Sequence, residues 1–224
     1  MSDVSVARSP GASLTLPSTV QGDPTPMLLS SDELRGYTLN ATDGLVGHVK
    51  DLFVDDTNWT VRHLVVETGN WLASRRVLIP SAALLEHDAV GSFIRVSITR
   101  EQVRHSPDVD TDMPVSRQHE TDLSGYYGFP TWHEDARPRH HDRHLWSVRE
   151  LDGYRVRSPK GNVGTVREIV IDDDGWRVVA LVVESGRDRV RVVVDRIETV
   201  SWDDNSVSIR SAEDVELEAS LDER

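Results

Sequence analysis

The feature that most constrains this chain is a segment written twice. Residues 47–69 read GHVKDLFVDDTNWTVRHLVVETG, and 117 positions later residues 164–186 read GTVREIVIDDDGWRVVALVVESG. The register runs without a gap from Leu34 to Gly69 and from Leu151 to Gly186. Identical pairs along it include Gly36 and Gly153, Gly44 and Gly161, Asp55 and Asp172, Trp59 and Trp176, and Glu67 and Glu184. Matches at one fixed offset, concentrated on Gly, Trp and strand-forming residues, mark a duplicated unit. A unit of about 80 residues is too long for a solenoid repeat and implies two small domains.

Each copy reads as β-structure. The strand-like runs are YTLN, VGHVKDLFV, WTVRHLVVE, RVLIP and FIRVSI in the first, and YRVR, VGTVREIVI, WRVVALVVE, RVRVVV and SVSIR in the second. Val, Ile, Leu and aromatics dominate them, and Gly, Asp, Asn and Pro bound them. Helical periodicity is confined to TREQVRHS (99–106) and SAEDVELEAS (211–220), two short helices at the unit ends. The fold class expected is all-β with minor α, each unit a small antiparallel barrel or sandwich. In the second strand Val49 is followed by Leu52 and Val54, and Val166 by Ile169 and Ile171. An interval of three inside a period of two predicts a β-bulge in both copies. The third strand carries Val61 and Val65 on one face and Leu64 and Val66 on the other, which predicts a central strand covered on both sides.

The remaining boundaries follow composition. Residues 1–30, rich in Ser, Pro and Gly, read as a disordered tail, 31–106 as the first domain and 147–212 as the second. Between them, 107–146 read as a linker containing the aromatic SGYYGFPTW (124–132), expected to pack on a barrel, and the polar HEDARPRHHDRH (133–144). Residues 213–224 read as an acidic C-terminal tail.

Charge and composition exclude several functions. The net charge of −13 argues against direct nucleic-acid binding and against docking on an anionic lipid surface by charge alone. With no cysteine, disulfides, thiolate chemistry and cysteine-ligated metals are excluded. The longest aliphatic run, VVALVV at 178–183, is far short of the roughly 20 residues that span a bilayer. The N-terminal segment lacks the apolar core of a signal peptide. A cytoplasmic protein is expected, at most peripheral to a membrane complex and compatible with homo-oligomerisation.

No P-loop, GxGxxG, HExxH or nucleophile elbow is present, so neither an enzyme nor a cofactor is expected. The turns DDTNW (55–59) and DDDGW (172–176) lack the ligand spacing of a calcium loop and read as strand connections. His133, His140, His141 and His144 match no metal template, and no metal is assigned to them. The candidate partner-contact or proton-relay residues are Trp59, Trp176, Glu67, Glu184, Tyr126 and Tyr127. The two Trp are either partner anchors or plugs at a barrel end. The two Glu, at the end of an apolar strand, either relay protons or take a partner, or else stand solvated at the strand end or pair with a nearby Arg.

The order Leu-x-Gly-Tyr, Gly-x-x-Gly-x-Val, Val-x-Asp, Trp-x-Val and Leu-Val-Val-Glu resembles the PRC-barrel family. It is carried by LRGYTLNATDGLVGHVKDLFVDD with WTVRHLVVE, and by LDGYRVRSPKGNVGTVREIVIDD with WRVVALVVE. The resemblance implies a soluble protein with two PRC-barrel copies, with the Tyr-Tyr-Gly segment at Tyr126, Tyr127 and Gly128 between them. It is a fold marker first. The functions it implies are, foremost, a non-enzymatic interaction or assembly module binding a protein partner. Others are an accessory of a photosynthetic reaction centre, like its H subunit, and a ribosome-maturation-type factor binding a ribosomal protein. The VRHLVVE strand ending in Glu67 carries the proton-relay analogy.

Overall fold

In a computed structural model the described residues are 27–107, 122–123, 125–129, 145–201, 203–211 and 215–217. Nearly all regular structure is β, with short helices, and the strands join in one fifteen-stranded sheet. The first unit contributes β2 (Thr38–Ala41), β3 (Gly44–Asp55), β4 (Thr60–Thr68), β5 (Arg76–Pro80), β6 (Leu84–Asp88) and β7 (Phe93–Val96). Their lateral order is β5-β4-β3-β2-β7-β6. The second unit repeats that order as β12-β11-β10-β9-β14-β13. These strands are β9 (Arg155–Ser158), β10 (Gly161–Asp172), β11 (Arg177–Ser185), β12 (Asp188–Val193), β13 (Ile197–Ser201) and β14 (Ser206–Ile209).

Two expectations are corrected here. The sheet is not a closed barrel: among the described residues β5 and β6, the outer strands of the first unit's ladder, are joined by the 3₁₀ turn Ser81–Ala83 and do not pair. Nor is the pairing purely antiparallel, because β2–β7 and β9–β14 run parallel.

The bulge falls where the apolar spacing places it. Register shifts between Val49 and Asp51 and between Val166 and Glu168, leaving Lys50 and Arg167 as the extra residues. A second shift, on β4 and β11, leaves Arg62 and Val179 extra. Just before the first bulge the strands approach closely. A Cβ on Gly47 would stand 2.0 Å from the Glu67 carbonyl oxygen, and one on Gly164 2.2 Å from that of Glu184, so only glycine fits. Beyond it, β4 is buried on both faces from Val61 to Val66, as a central strand must be.

Two strands belong to the wrong unit by sequence. β1 (Leu28–Ser30) precedes the first unit but pairs with β10 of the second, Leu28 opposite Asp172 and Ser30 opposite Val170. β8 (Leu145–Ser147) precedes the second unit but pairs with β3 of the first, Leu145 opposite Asp55 and Ser147 opposite Phe53. The exchange is reciprocal at the offset of the repeat, which defines a pseudo-twofold relation. Residues 28–30, expected in the disordered tail, are therefore structural, and Leu29 is 2% exposed.

Each exchanged strand turns directly into a capped helix. Ser30 caps α1 (Ser31–Leu34) by accepting from the Asp32 N–H at 3.1 Å, and Glu33 reaches back to the Ser30 N–H. Ser147 caps α3 (Val148–Leu151). The same hydroxyls bond across the junction, Ser30 to Glu168 and Ser147 to Asp51, the latter at 2.5 Å. At the C-terminal end, Val215–Leu217 pairs with β12 as β15, where a helix over 211–220 was expected. An open sheet edge outweighs local helical spacing in so short a segment. The first unit does form its helix, α2 (Arg100–Arg104), capped by Thr99.

One buried ion pair marks the first unit. Arg62 Nη2 lies 2.7 Å from Asp55 Oδ2, with side chains 6% and 10% exposed. Burial alone would raise the Asp55 carboxyl, but hydrogen bonds and charge from Arg62, with the Thr57 N–H, hold it below its ordinary value. A lowered value means a stabilising contribution complete above the unfolded carboxylate value of about 3.9. That contribution is lost as pH falls through the folded value.

Two outcomes are expected. Leu29→Ala should cost about 2–4 kcal/mol in urea unfolding, because it empties a core site, whereas a tail residue would cost nothing. Arg62→Met should cost about 3 kcal/mol at pH 7 by stranding the Asp55 carboxylate, and Asp55→Asn should flatten the loss of stability below about pH 4.

Candidate functional site

Trp59 and Trp176 sit at the junction of the units. Both adopt left-handed backbone, φ 53° and 54°, and are partly buried against the core. The Trp59 carbonyl accepts the Val178 N–H at 2.7 Å, and the Trp176 carbonyl accepts the Val61 N–H at 2.8 Å. Here β4 meets β11, Thr60 opposite Arg177. The pair thus stitches the halves together, at a conformational cost of order 1 kcal/mol or more for each residue.

The Asp-Asp turns serve the same junction. The first Asp of each closes its own turn: Asp55 accepts from Thr57 N–H at 2.8 Å, and Asp172 from Asp174 N–H at 2.9 Å. The second reaches across. Asp56 accepts the Trp146 indole N–H at 2.9 Å. Asp173 accepts the Met27 N–H at 2.7 Å and lies 3.2 Å from His87 Nδ1.

Glu184 pairs with a nearby Arg, and Glu67 with a Lys in the same position. Each pairs with the bulged residue across the ladder: Glu67 with Lys50 at 3.0 Å, and Glu184 with Arg167 at 2.6 Å. All four side chains are well exposed, between 39% and 48%. The bulge turns its extra residue toward the neighbouring strand end, so the Glu spacing encodes a surface ion pair in both copies.

Tyr126 and Tyr127 lie beside α2 and pack edge to face, ring centroids 5.0 Å apart. The Tyr126 hydroxyl donates to the Gln102 carbonyl at 2.8 Å, and its ring is 38% exposed. Tyr127 is buried, which pushes its phenol up to about 12 against the opposing effects of Ser106 and Arg75. It stays protonated at physiological pH and is no base. The described part of the segment, residues 125–129, thus lies against the first unit. Residues 124 and 130–132, and His133, His140, His141 and His144, lie outside the described residues. Among the described residues no group of His, Asp and Glu is arranged to hold a metal ion.

The Tyr pair borders a feature that sequence reading missed. In the second unit residues 186–187 suffice to connect β11 to β12. In the first, residues 69–75 make the equivalent connection, through the 3₁₀ turn Asn70–Leu72 and two left-handed residues, Ala73 and Ser74. This longer loop lays Trp71 on the end of the unit, its indole N–H donating to the Val46 carbonyl at 2.7 Å. Arg100 stacks over that indole at 4.2 Å from the ring centroid, and Arg104 lies at 5.9 Å. Arg75 donates to the Ser106 and Pro107 carbonyls at 2.7 and 3.0 Å, just past the end of α2, and to Arg104 at 3.3 Å. That places a cation where the helix leaves its carbonyls bare. The available signal was the point, after Gly69 and Gly186, where the copies fall out of register.

Residues 28–103 match the PRC-barrel domain family. The match covers the first unit, including β1, Trp71 and Arg100. Comparison of the sequence with curated proteins returns no match. Among the described residues no helix is long and apolar enough to cross a membrane.

Glu67→Gln and Glu184→Gln should each change stability by less than about 1 kcal/mol, because exposed pairs contribute little. Thermal unfolding followed by circular dichroism checks this, and a larger loss would show that the pairs matter to the fold.

Proposed function

We propose that the chain is a non-enzymatic binding module of two PRC-barrel-type units, and that it takes a protein partner at the cap of the first. One observation carries the reading. The fold does not need the 69–75 loop, since residues 186–187 make the same connection, yet this loop holds Trp71 beneath Arg100. Trp, Tyr and Arg are the residues enriched where protein partners bind most strongly, and here Trp71, Arg100, Arg104 and Tyr126 share one surface.

The other residues singled out from sequence support this assignment by elimination. Trp59 and Trp176 are committed to the junction, and Glu67 and Glu184 to surface ion pairs. The proton-relay analogy to a reaction-centre H subunit thereby loses its motivating residue. Nothing at the cap favours a ribosomal protein over other partners.

Photo-crosslinking tests the proposal. Benzoylphenylalanine in place of Tyr126 should give a discrete protein adduct in cells, and Trp71→Ala should abolish it. The same probe in place of Val90, 99% exposed in the β6–β7 turn, should give none. Equal adducts from both positions, or none from Tyr126, would count against a partner at this cap.

A further inference from the structure

Resting on that reading, we infer that the cap recognises a carboxylate side chain on an otherwise uncharged or apolar segment of the partner, with Arg100 as its receptor. The inference starts from the surroundings of the Arg100 side chain. The chain has 38 acidic residues against 25 basic, and several guanidinium groups of the first unit lie beside a carboxylate. Arg62, Arg95, Arg104 and Arg167 all do. Arg100 does not, among the described residues. Its contacts there are the Trp71 face and, through its backbone N–H, Asp43 at 2.7 Å. Its Nε is buried with no hydrogen-bond partner.

A half-buried guanidinium stacked on an indole is held in one plane. Beyond the buried Nε, Nη1 and Nη2 form a fork that matches the two oxygens of a carboxylate. Because stacking has already restricted the side chain, less conformational freedom is lost on binding. Gly44 lies against this side chain: a Cβ built there would stand 3.4 Å from Arg100 Cδ and 3.5 Å from Nη1, so a longer side chain would crowd the fork. The corresponding Gly161 meets nothing within 4 Å.

The overall charge selects among anions. A nucleic acid brings a dense row of phosphates, and at about 8–10 Å of screening length these feel the whole acidic surface. One carboxylate flanked by uncharged residues feels chiefly the nearby guanidinium. The partner chemistry is therefore a sparsely acidic peptide.

A phage-displayed random dodecapeptide library, selected on the intact chain, tests this. Enriched peptides should carry an Asp or Glu at a fixed position, and fluorescence polarisation should show roughly tenfold weaker binding when that acid becomes Asn or Gln. Arg100→Gln should cause a similar loss. Arg100→Lys should recover only part of the affinity, since it restores charge without the stacked fork. Arg187→Gln, in the short turn of the second unit, should change nothing. Circular dichroism of each variant separates loss of binding from loss of fold. Enrichment of peptides without an acid, acidic peptides that bind the Arg100→Gln chain equally well, no enrichment at all, or displacement by stoichiometric oligo(dT) would each overturn the inference. Acid-free peptides that still need Trp71 would sink the carboxylate and leave the binding module standing.

Discussion

Everything in this molecule depends on the reciprocal exchange of two short strands. Leu28–Ser30 completes the second unit, and Leu145–Ser147 completes the first. Three-residue strands contribute little by themselves, because isolated pairings of that length are marginal in water. They hold because each is anchored three ways. Leu29 and Trp146 are buried in the core, Ser30 and Ser147 each cap a helix and bond across the junction, and Asp56 and Asp173 receive N–H groups from the neighbouring half. Neither half has a complete sheet without the other. A single hydrophobic cluster running through both units is the energetic expression of that dependence.

The exchange explains which parts of the structure the sequence made legible. The bulge was readable because two apolar residues three apart cannot share a strand face, and the register shifts at Lys50 and Arg167 follow from that local fact. The Asp-Asp turns were readable as turns for the same reason. The second Asp was not, because its partners lie 90 and 146 residues away and nothing local marks them. Leu28–Ser30 looked like tail because three residues carry no periodicity. Val215–Leu217 looked helical because its pairing with β12 is a tertiary fact. The parallel β2–β7 pairing and the open ladder were equally beyond local pattern.

The candidate site was legible in a different proportion. Tyr126 was found, because an aromatic segment in a polar connection needs a surface to pack on. Trp59 and Trp176 were over-read. Identity between copies drew attention to them, but residues shared by two halves of a pseudo-symmetric fold are those the fold itself requires. Trp71 and Arg100 were overlooked for the complementary reason: neither has a counterpart.

A duplicated fold contains its own control. Where the copies agree, as at Gly47 and Gly164 or Asp56 and Asp173, the shared geometry is sufficient cause. Where they differ and the backbone does not, the difference cannot be charged to the fold. Arg62 pairs with Asp55 in one copy while Val179 takes the matching bulge position in the other, and both strands bulge alike. The buried ion pair is thus an option of the first unit, not a condition of its architecture. The same comparison isolates the 69–75 loop more sharply, because it adds a tryptophan, stacked beneath Arg100 of α2, and two left-handed residues. Left-handed backbone at Ala73 and Ser74 costs stability, and the second unit makes the same connection with residues 186–187 and without such a pair. The partner proposed for the cap would supply the reason for keeping them at one end of one unit.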